Sequence, residues 1–190
     1  MTPELILDSI RGPHLLAIVI GMGAAMYLDL RTLHKISRPV SNSDLEEIRR
    51  IHWVVTSTFV LIWASGLSLV WYRTEIAIEA FSPKLWSKLF VVSVLTLNAI
   101  MLAAFVIPNL RRFEGIALLD MPFRILLPMA MVAGVSGSSW ILALMLGFSK
   151  FLKTAHWDVL VPFLSFGFAA GIGGVILVVF AFRSRHRSLA

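Results

Sequence analysis

Two histidines bracket the first long apolar stretch of the chain. The stretch 13–33 reads PHLLAIVIGMGAAMYLDLRTL, with His14 at one end and His34 just beyond the other. In a helix that rises 1.5 Å per residue, this separation corresponds to about 30 Å, the thickness of the hydrocarbon core of a bilayer. Residues so far apart cannot bind one ligand. Any histidine chemistry is therefore divided between two membrane faces.

Two further histidines pair with the first two. His156 precedes the last apolar stretch, at the face of His14, and His52 opens the second stretch, at the face of His34. One histidine pair at each face is the arrangement that two bis-histidine heme b groups require. We therefore predict heme b, bound through its metal by four candidate ligands: His14, His156, His34 and His52. The alternative is that these are interfacial side chains facing lipid headgroups.

Two polar residues stand inside the third apolar stretch. Lys88 is on its second helical turn, at the depth of His14. If Lys88 faces the bundle, its ammonium meets an acidic propionate or another anion, and we include it as a candidate catalytic residue. The competing interpretation is a side chain that extends to the headgroups, as lysines near helix ends commonly do. Asn98 lies near mid-bilayer and is a candidate cofactor contact or an interhelical hydrogen bond.

An acidic residue lies inside the first apolar stretch. If the first two stretches pack side by side, Asp29 is within reach of His34, His52 or Arg49. Ionisable residues inside membrane spans are usually functional, so we predict Asp29 as a catalytic group that relays protons or orients a histidine. A structural pair that orders the following loop is the alternative.

These residues need elements that hold them in a membrane. The chain has 190 residues, of which 58% are hydrophobic and 15% charged, whereas about 25% are charged in a soluble domain. Water does not cover so apolar a surface, so the composition predicts an all-α, polytopic membrane protein. We expect one domain, residues 1–190, with five transmembrane helices spanning 13–33, 50–72, 84–108, 122–148 and 158–182. The absence of cysteine excludes disulfides and thiolate metal sites.

Capping residues predict where several helices begin. Residues 1–12 form a polar or interfacial lead in this interpretation. Ser43 with Glu46 fits a capping box and predicts the start of the second helix. Ser82, followed by proline, predicts the start of the third helix, and Asp120 predicts the cap of the fourth.

An odd number of spans puts the two termini on opposite faces. Eleven lysines and arginines fall on the face of the C-terminus and six on the other. Because cytoplasmic loops carry the excess of basic residues, we expect the N-terminus outside and the C-terminus in the cytoplasm. We expect a multi-pass protein of a bacterial inner membrane, with the lipid bilayer and either its own copies or a larger membrane complex as partners. The net charge of +6 does not indicate nucleic acid, because the basic residues lie between apolar runs.

Three motifs carry a family resemblance over residues 13–112. A histidine opens the first helix (PHLLAIVIGMG), a glycine and a tryptophan close the second (SGLSLVW), and the third reads LWSKLFVVSVLTLN. The pattern resembles the membrane domain of the copper-resistance D type, and it is similar to the small helical protoporphyrinogen oxidases that associate with heme b. The resemblance implies that His14 and Lys88 correspond to the important histidine and lysine of the oxidases. It also implies that Asn98 corresponds to the asparagine of the copper-resistance type.

The leading hypothesis is a membrane protein that binds heme b or a related tetrapyrrole, in electron transfer or tetrapyrrole chemistry. Whether it is an enzyme, as a membrane oxidoreductase would be, stays open at this point. A second hypothesis is a permease for a small solute or metal ion. It predicts a polar cavity with Asn98, Thr96 and Ser136, and it requires oligomerisation because five helices are few for a transporter. A third is a structural or assembly subunit of a membrane complex.

Overall fold

The fold is a bundle of long helices joined by short connections. The computed structural model describes residues 3–189. In that range the α-helices are α1 (Pro3–His34), α2 (Asn42–Thr74), α3 (Pro83–Met101), α4 (Ile107–Arg112), α5 (Phe123–Phe148) and α6 (Trp157–Leu189). A π-helical turn, Leu102–Val106, joins α3 to α4, and short 3-10 turns lie at Ile78–Ala80, Leu118–Asp120 and Phe151–Lys153.

Five helical segments of the described residues are long and apolar enough to cross a membrane. They are Glu4–His34, Asn42–Thr74, Pro83–Arg112, Phe123–Phe148 and Trp157–His186. The prediction of an all-helical protein with five such helices is confirmed. Half of the most apolar part of α5 is buried, but only 17% of the corresponding part of α1 and 11% of α6. The central helix is therefore α5, while α1 and α6 turn most of their apolar side chains outward.

Contacts between connections define the two ends of the bundle. At the end where α1 begins, which we refer to as the N-side, the Lys84 Nζ donates a hydrogen bond of 2.8 Å to the Ser149 carbonyl. At the end where α1 finishes, the C-side, the Gly115 N–H donates to the Val40 carbonyl at 2.8 Å. Arg183, near the end of α6, donates to the Met121 carbonyl at 3.1 Å on the same side. The five long helical segments, with α3 and α4 counted as one, thus alternate in direction from one to the next.

Small residues allow α5 and α6 to approach closely. A Cβ added at Gly134 of α5 would lie 2.7 Å from the Cα of Ile172, and one at Gly171 of α6 would lie 2.5 Å from the Cβ of Ser138. Neither glycine has room for a side chain. Close approach of this kind is how membrane helices gain packing energy when lipid offers no hydrophobic drive.

Aromatic stacking connects α2 to the central helix. The rings of Phe59 and Trp140 are stacked with centroids 5.8 Å apart, and Trp140 is only 2% exposed. On α1, Gly21 lies against this layer, because a Cβ there would be 2.5 Å from the Thr58 Oγ1 and 2.7 Å from the Trp140 ring. Helices α1, α2 and α5 therefore meet in one tightly packed layer.

Several predicted helix ends were wrong, each for a local reason. The described part of the predicted lead 1–12 is not separate, because α1 runs through it from Pro3, while residues 1 and 2 lie outside the described residues. The cap of α2 is Ser41 rather than Ser43: its side chain accepts from the Asp44 N–H, and Asp44 completes the capping box that was assigned to Glu46. The third span does not end at Pro108. The Ile107 N–H donates to the Leu102 carbonyl in the π-helical turn, and the helix continues to Arg112 with Pro108 in the first turn of α4, where proline is tolerated.

The fourth helix also starts differently from the prediction. The residue that caps α5 is Pro122, without a side-chain hydrogen bond, and Asp120 belongs to the preceding 3-10 turn. The Asp120 carboxylate lies 3.2 Å from the Nε2 of His186 on α6. The prediction that Ser82 caps α3 is confirmed, since its side chain accepts from the Leu85 N–H.

A glycine substitution tests the α5–α6 contact. We expect Gly134→Ala to lower the thermal midpoint of the detergent-solubilised protein, because the new Cβ meets the backbone of α6 at Ile172. Overpacking of this kind costs about 1–3 kcal/mol, or several degrees of midpoint for a chain of this size. Gly137→Ala on the same helix is the control, since its Cβ would have no neighbour within 4 Å. Equal midpoints for the two variants would contradict this packing.

Candidate functional site

A polar cavity lies between α1, α2, α3 and α5, in the half of the bundle toward the C-side. Its volume is about 40 Å³, which holds a few water molecules at about 10–15 Å³ for each water centre. The polar side chains in its lining are Asp29, His52, Asn98 and Ser136, one from each of the four helices. The rest of the lining is apolar and includes the stacked Phe59 and Trp140. We refer to this space as the Asp29 cavity.

The polar groups of the Asp29 cavity have few partners in the protein. Within residues 3–189, the side chains of Asp29, Asn98 and Ser136 form no hydrogen bond or ion pair. His52 has one long contact, 3.4 Å from its Nε2 to the Thr56 Oγ1 of the same helix. A polar group without a partner is costly in an apolar surrounding. We therefore expect water or a ligand in the cavity, hydrogen-bonded to these polar groups.

The structure brings Asp29 together with one of its three predicted neighbours. Of the three predicted neighbours of Asp29, only His52 shares its cavity, and the lining does not include Arg49 or His34. His34 is the last residue of α1, with an exposed side chain. Ligation of one metal by His34 and His52 stays a prediction. Asp29 forms no ion pair within the described residues, so the alternative of a structural pair has no support there.

The cavity predicted for a permease is present in part. Asn98 and Ser136 line the Asp29 cavity, but Thr96 does not. The Thr96 hydroxyl accepts a hydrogen bond of 3.1 Å from the Trp63 Nε1 and donates one of 2.8 Å to the Val92 carbonyl. Thr96 therefore joins α3 to α2. Asn98, the other residue considered as an interhelical bond, makes no such link within the described chain.

A second polar group lies near the N-side, around His14. The His14 Nδ1 is 2.8 Å from the Ser65 Oγ of α2. The Ser65 hydroxyl has a single proton and donates it to the Leu61 carbonyl, so the ring nitrogen is the donor to Ser65. In this tautomer the Nε2 of His14 keeps a free lone pair. Gly66 leaves the ring unobstructed, since even a Cβ there would stay 3.4 Å from its Cε1.

Lys88 lies near His14 without an acidic partner. It is partly buried and interacts electrostatically with His14 and with two like charges, Lys84 and Arg73. Lys84 is held by its hydrogen bond to Ser149. In the part of the chain that the structure describes, Lys88 has neither a hydrogen bond nor an ion pair. Its ammonium is therefore a free positive charge beside a histidine.

His156, the other predicted N-side ligand, has an exposed side chain. Its backbone carbonyl accepts hydrogen bonds from the N–H groups of Val159 and Leu160, at 3.2 and 3.1 Å, at the start of α6. Among residues 3–189 there is no group of three or more histidine, aspartate and glutamate side chains placed to hold a metal ion. A pair of histidines around one heme stays a prediction.

Sequence reasoning missed two residues of these sites. Ser65 orients His14, and the stacked Trp140 forms a wall of the Asp29 cavity. A signal for Ser65 was available, because α1 and α2 run antiparallel and a hydroxyl at this position of α2 reaches the depth of His14. Trp140 carried no such signal, since its position depends on how α5 packs against both helices.

Comparison with known proteins identified no relative of this chain. No protein family, no curated protein and no solved structure matches this chain. The resemblance to the copper-resistance D type and to the helical oxidases therefore stays a prediction.

Replacing Asn98 tests whether it is structural. Leucine has the same number of side-chain atoms, and Asn98 makes no hydrogen bond that the substitution would break within the described residues. We expect Asn98→Leu to leave the thermal midpoint in detergent unchanged or to raise it. Trp63→Phe is the matched control, because it removes the bond to Thr96 and is expected to cost about 1 kcal/mol. A larger loss for Asn98→Leu than for Trp63→Phe would show that Asn98 holds helices together.

Proposed function

We propose that this membrane protein binds heme b or a related tetrapyrrole near its N-side, with His14 as a protein ligand. The observation that supports the proposal is the hydrogen bond from His14 Nδ1 to Ser65, which leaves Nε2 available. Histidines that ligate metals commonly hold their other ring nitrogen in such a bond, which fixes the tautomer and the orientation of the ring. The proposed activity is electron transfer or tetrapyrrole chemistry.

The chemistry of the nearby groups fits an anionic tetrapyrrole. An imidazole nitrogen is a suitable axial ligand for heme iron. Lys88 supplies a positive charge without an acidic partner in the described residues, and this charge suits a propionate. Bound heme would supply one-electron redox chemistry. The roles of the protein are to hold the ring of His14 through Ser65 and to attract the acidic edge of the ligand with Lys88.

We also propose that the N-side faces outward in a bacterial inner membrane and that the C-side faces the cytoplasm. The excess of lysine and arginine at the C-side, eleven against six, supports this orientation. The tetrapyrrole would then lie in the outer half of the membrane. The Asp29 cavity would lie in the half that faces the cytoplasm.

The absorption spectrum tests heme binding directly. We expect a Soret band in protein purified from heme-replete cells or reconstituted with hemin, and we expect His14→Ala to abolish it because the ligand is lost. His34→Ala, on the exposed end of α1, is the control and should retain the band. No Soret band in the wild type, before and after reconstitution, would end the proposal. Loss of the band in His156→Ala would identify His156 as the second axial ligand.

The role of Lys88 has its own control within this experiment. Lys88→Gln should weaken hemin binding about tenfold, which corresponds to about 1.4 kcal/mol for a lost charged contact. The dimethyl ester of hemin has no propionate charge, so its affinity should be the same for both proteins. An equal loss for hemin and its ester would show that Lys88 does not recognise the carboxylate.

Cysteine labelling tests the orientation. The chain has no cysteine, so a single substitution gives an unambiguous signal. We expect Thr154→Cys, exposed at the N-side, to react with a membrane-impermeant maleimide on intact spheroplasts. Ser37→Cys, exposed at the C-side, should react only after permeabilisation. The reverse pattern would overturn the orientation.

A further inference from the structure

The Asp29 cavity holds a carboxyl group whose charge nothing nearby compensates. No lysine or arginine contributes to the lining, and the described residues contain no ion pair with Asp29. Besides Asp29, the one titratable side chain in the lining is His52 of α2, while α3 and α5 contribute the neutral Asn98 and Ser136. An isolated carboxylate at this depth is costly. A bound cation or a proton would remove this cost.

The cavity suits a proton better than a metal ion. Hard cations such as sodium or calcium require about six oxygen ligands, and the side chains here supply at most four, from Asp29, Asn98 and Ser136. For a transition metal, no group of three or more suitable side chains exists among residues 3–189. A volume of about 40 Å³ admits a few waters but no hydrated ion. Water in this space would pass a proton to the carboxyl group.

A second space lies at the C-side, next to the cavity. This vestibule, with a volume of about 50 Å³, lies at the end of α1 and the start of α2. Its charged lining residues are Arg31, Lys35, Arg38, Asp44 and Glu47. Leu28 lines both the vestibule and the Asp29 cavity, so the two spaces share a wall.

Four of the five charged residues of the vestibule are paired with one another. Arg31 forms ion pairs with Asp44 and Glu47, and the Lys35 Nζ lies 2.5 Å from the Asp44 carboxylate. These pairs are only partly shielded from solvent, so the vestibule is accessible to water. They also engage the nearest cationic side chains and keep them away from Asp29.

Between α1, α2 and α5, the path toward the N-side is closed. Beyond the cavity, Gly21 of α1 lies so close to Thr58 and Trp140 that even a Cβ would be within 2.7 Å of both. Phe59, stacked on Trp140, completes this layer, and both rings are almost fully buried. Side chains packed this tightly leave no space for a chain of water molecules.

We propose that the Asp29 cavity is a proton-binding site, in which the Asp29 carboxyl group holds the proton and protons enter only from the C-side through the vestibule. His52 and Asn98 face this group and hydrogen-bond the water around it. The arrangement is a half-channel: one membrane face exchanges protons with a partly buried carboxyl group, and the Gly21–Thr58–Trp140 layer separates that group from the other face. The inference does not depend on a tetrapyrrole at His14.

Carbodiimide labelling tests the proton on Asp29. Dicyclohexylcarbodiimide is a hydrophobic reagent that modifies protonated carboxyl groups within membranes, and mass spectrometry locates the product. In detergent, we expect Asp29 to be labelled. The extent of labelling should fall about tenfold per pH unit above the midpoint of the Asp29 titration, as the titration of a single proton requires. Asp44 and Glu47, which are ion-paired in the vestibule, serve as internal controls and should stay unlabelled. Sodium or zinc ions should not protect Asp29, and protection by either would show a cation site instead.

The neutral variant Asp29→Asn provides a second measurement. It has nearly the same shape and carries no charge, so we expect it to fold. Infrared spectra of the wild type should contain the band of a protonated carboxyl group that disappears in Asp29→Asn, without any reagent. If the label is independent of pH, or if both the label and the infrared band are absent, the proposal is overturned.

Sealed vesicles test the side of access. The pH inside and outside is set independently, in vesicles of either orientation, before the hydrophobic reagent is added. The label on Asp29 should follow the pH on the C-side and ignore the pH on the N-side. A label that follows the N-side pH, or both sides equally, would overturn the half-channel. Because this readout needs no heme, it can fail while tetrapyrrole binding holds, and the reverse is also possible.

Discussion

The close contact between α1 and α2 at Gly21 sets the register on which both polar sites depend. At this residue the backbone of α1 meets Thr58 without room for a side chain, and Trp140 of α5 closes the same layer. Because the two helices run antiparallel, each step toward one end of α1 corresponds to a step in the opposite direction along α2. Seven positions before Gly21, His14 reaches Ser65, and eight positions after it, Asp29 reaches the level of His52. A shift of this contact would separate both pairs.

The same packed layer divides the bundle into two chemically different halves. Toward the N-side, a histidine with a free nitrogen lies near a group of like positive charges that includes Lys88, Lys84 and Arg73. Toward the C-side, a carboxyl group and an imidazole share a small cavity that lacks a cation. The group of positive charges attracts an anionic ligand, whereas a carboxyl group without a cationic partner favours binding of a proton. The two halves therefore suit different ligands, and the stack of Phe59 on Trp140 separates them.

The connections at the C-side give the vestibule a defined shape. Ser41 and Asp44 close the capping box that begins α2, and Asp44 also binds Lys35 from the preceding loop. Backbone hydrogen bonds join Val40 to Gly115 and Ile116, so the loop after α1 is held against the loop before α5. Arg31, Lys35, Asp44 and Glu47 consequently bind one another, and none of them lines the Asp29 cavity.

The sequence alone determined the class of the protein. Long apolar runs at spacings that match a bilayer predict five helices, because the physical requirement is local: each run must satisfy its own backbone hydrogen bonds. The capping of α3 by Ser82 was equally local and was predicted correctly. The caps of α2 and α5 were not, since two serines lie close together at the start of α2 and Asp120 binds His186 from a distant helix.

Which polar residues meet was decided only by the tertiary structure. The level of His14, Lys88, Asp29 and Asn98 along the bundle follows from their positions in the runs, but the direction in which each side chain points depends on the rotation of its helix against its neighbours. That rotation comes from close contacts between small and aromatic residues far apart in the chain, such as Gly21 with Trp140 and Gly134 with Ile172, and no local pattern encodes it.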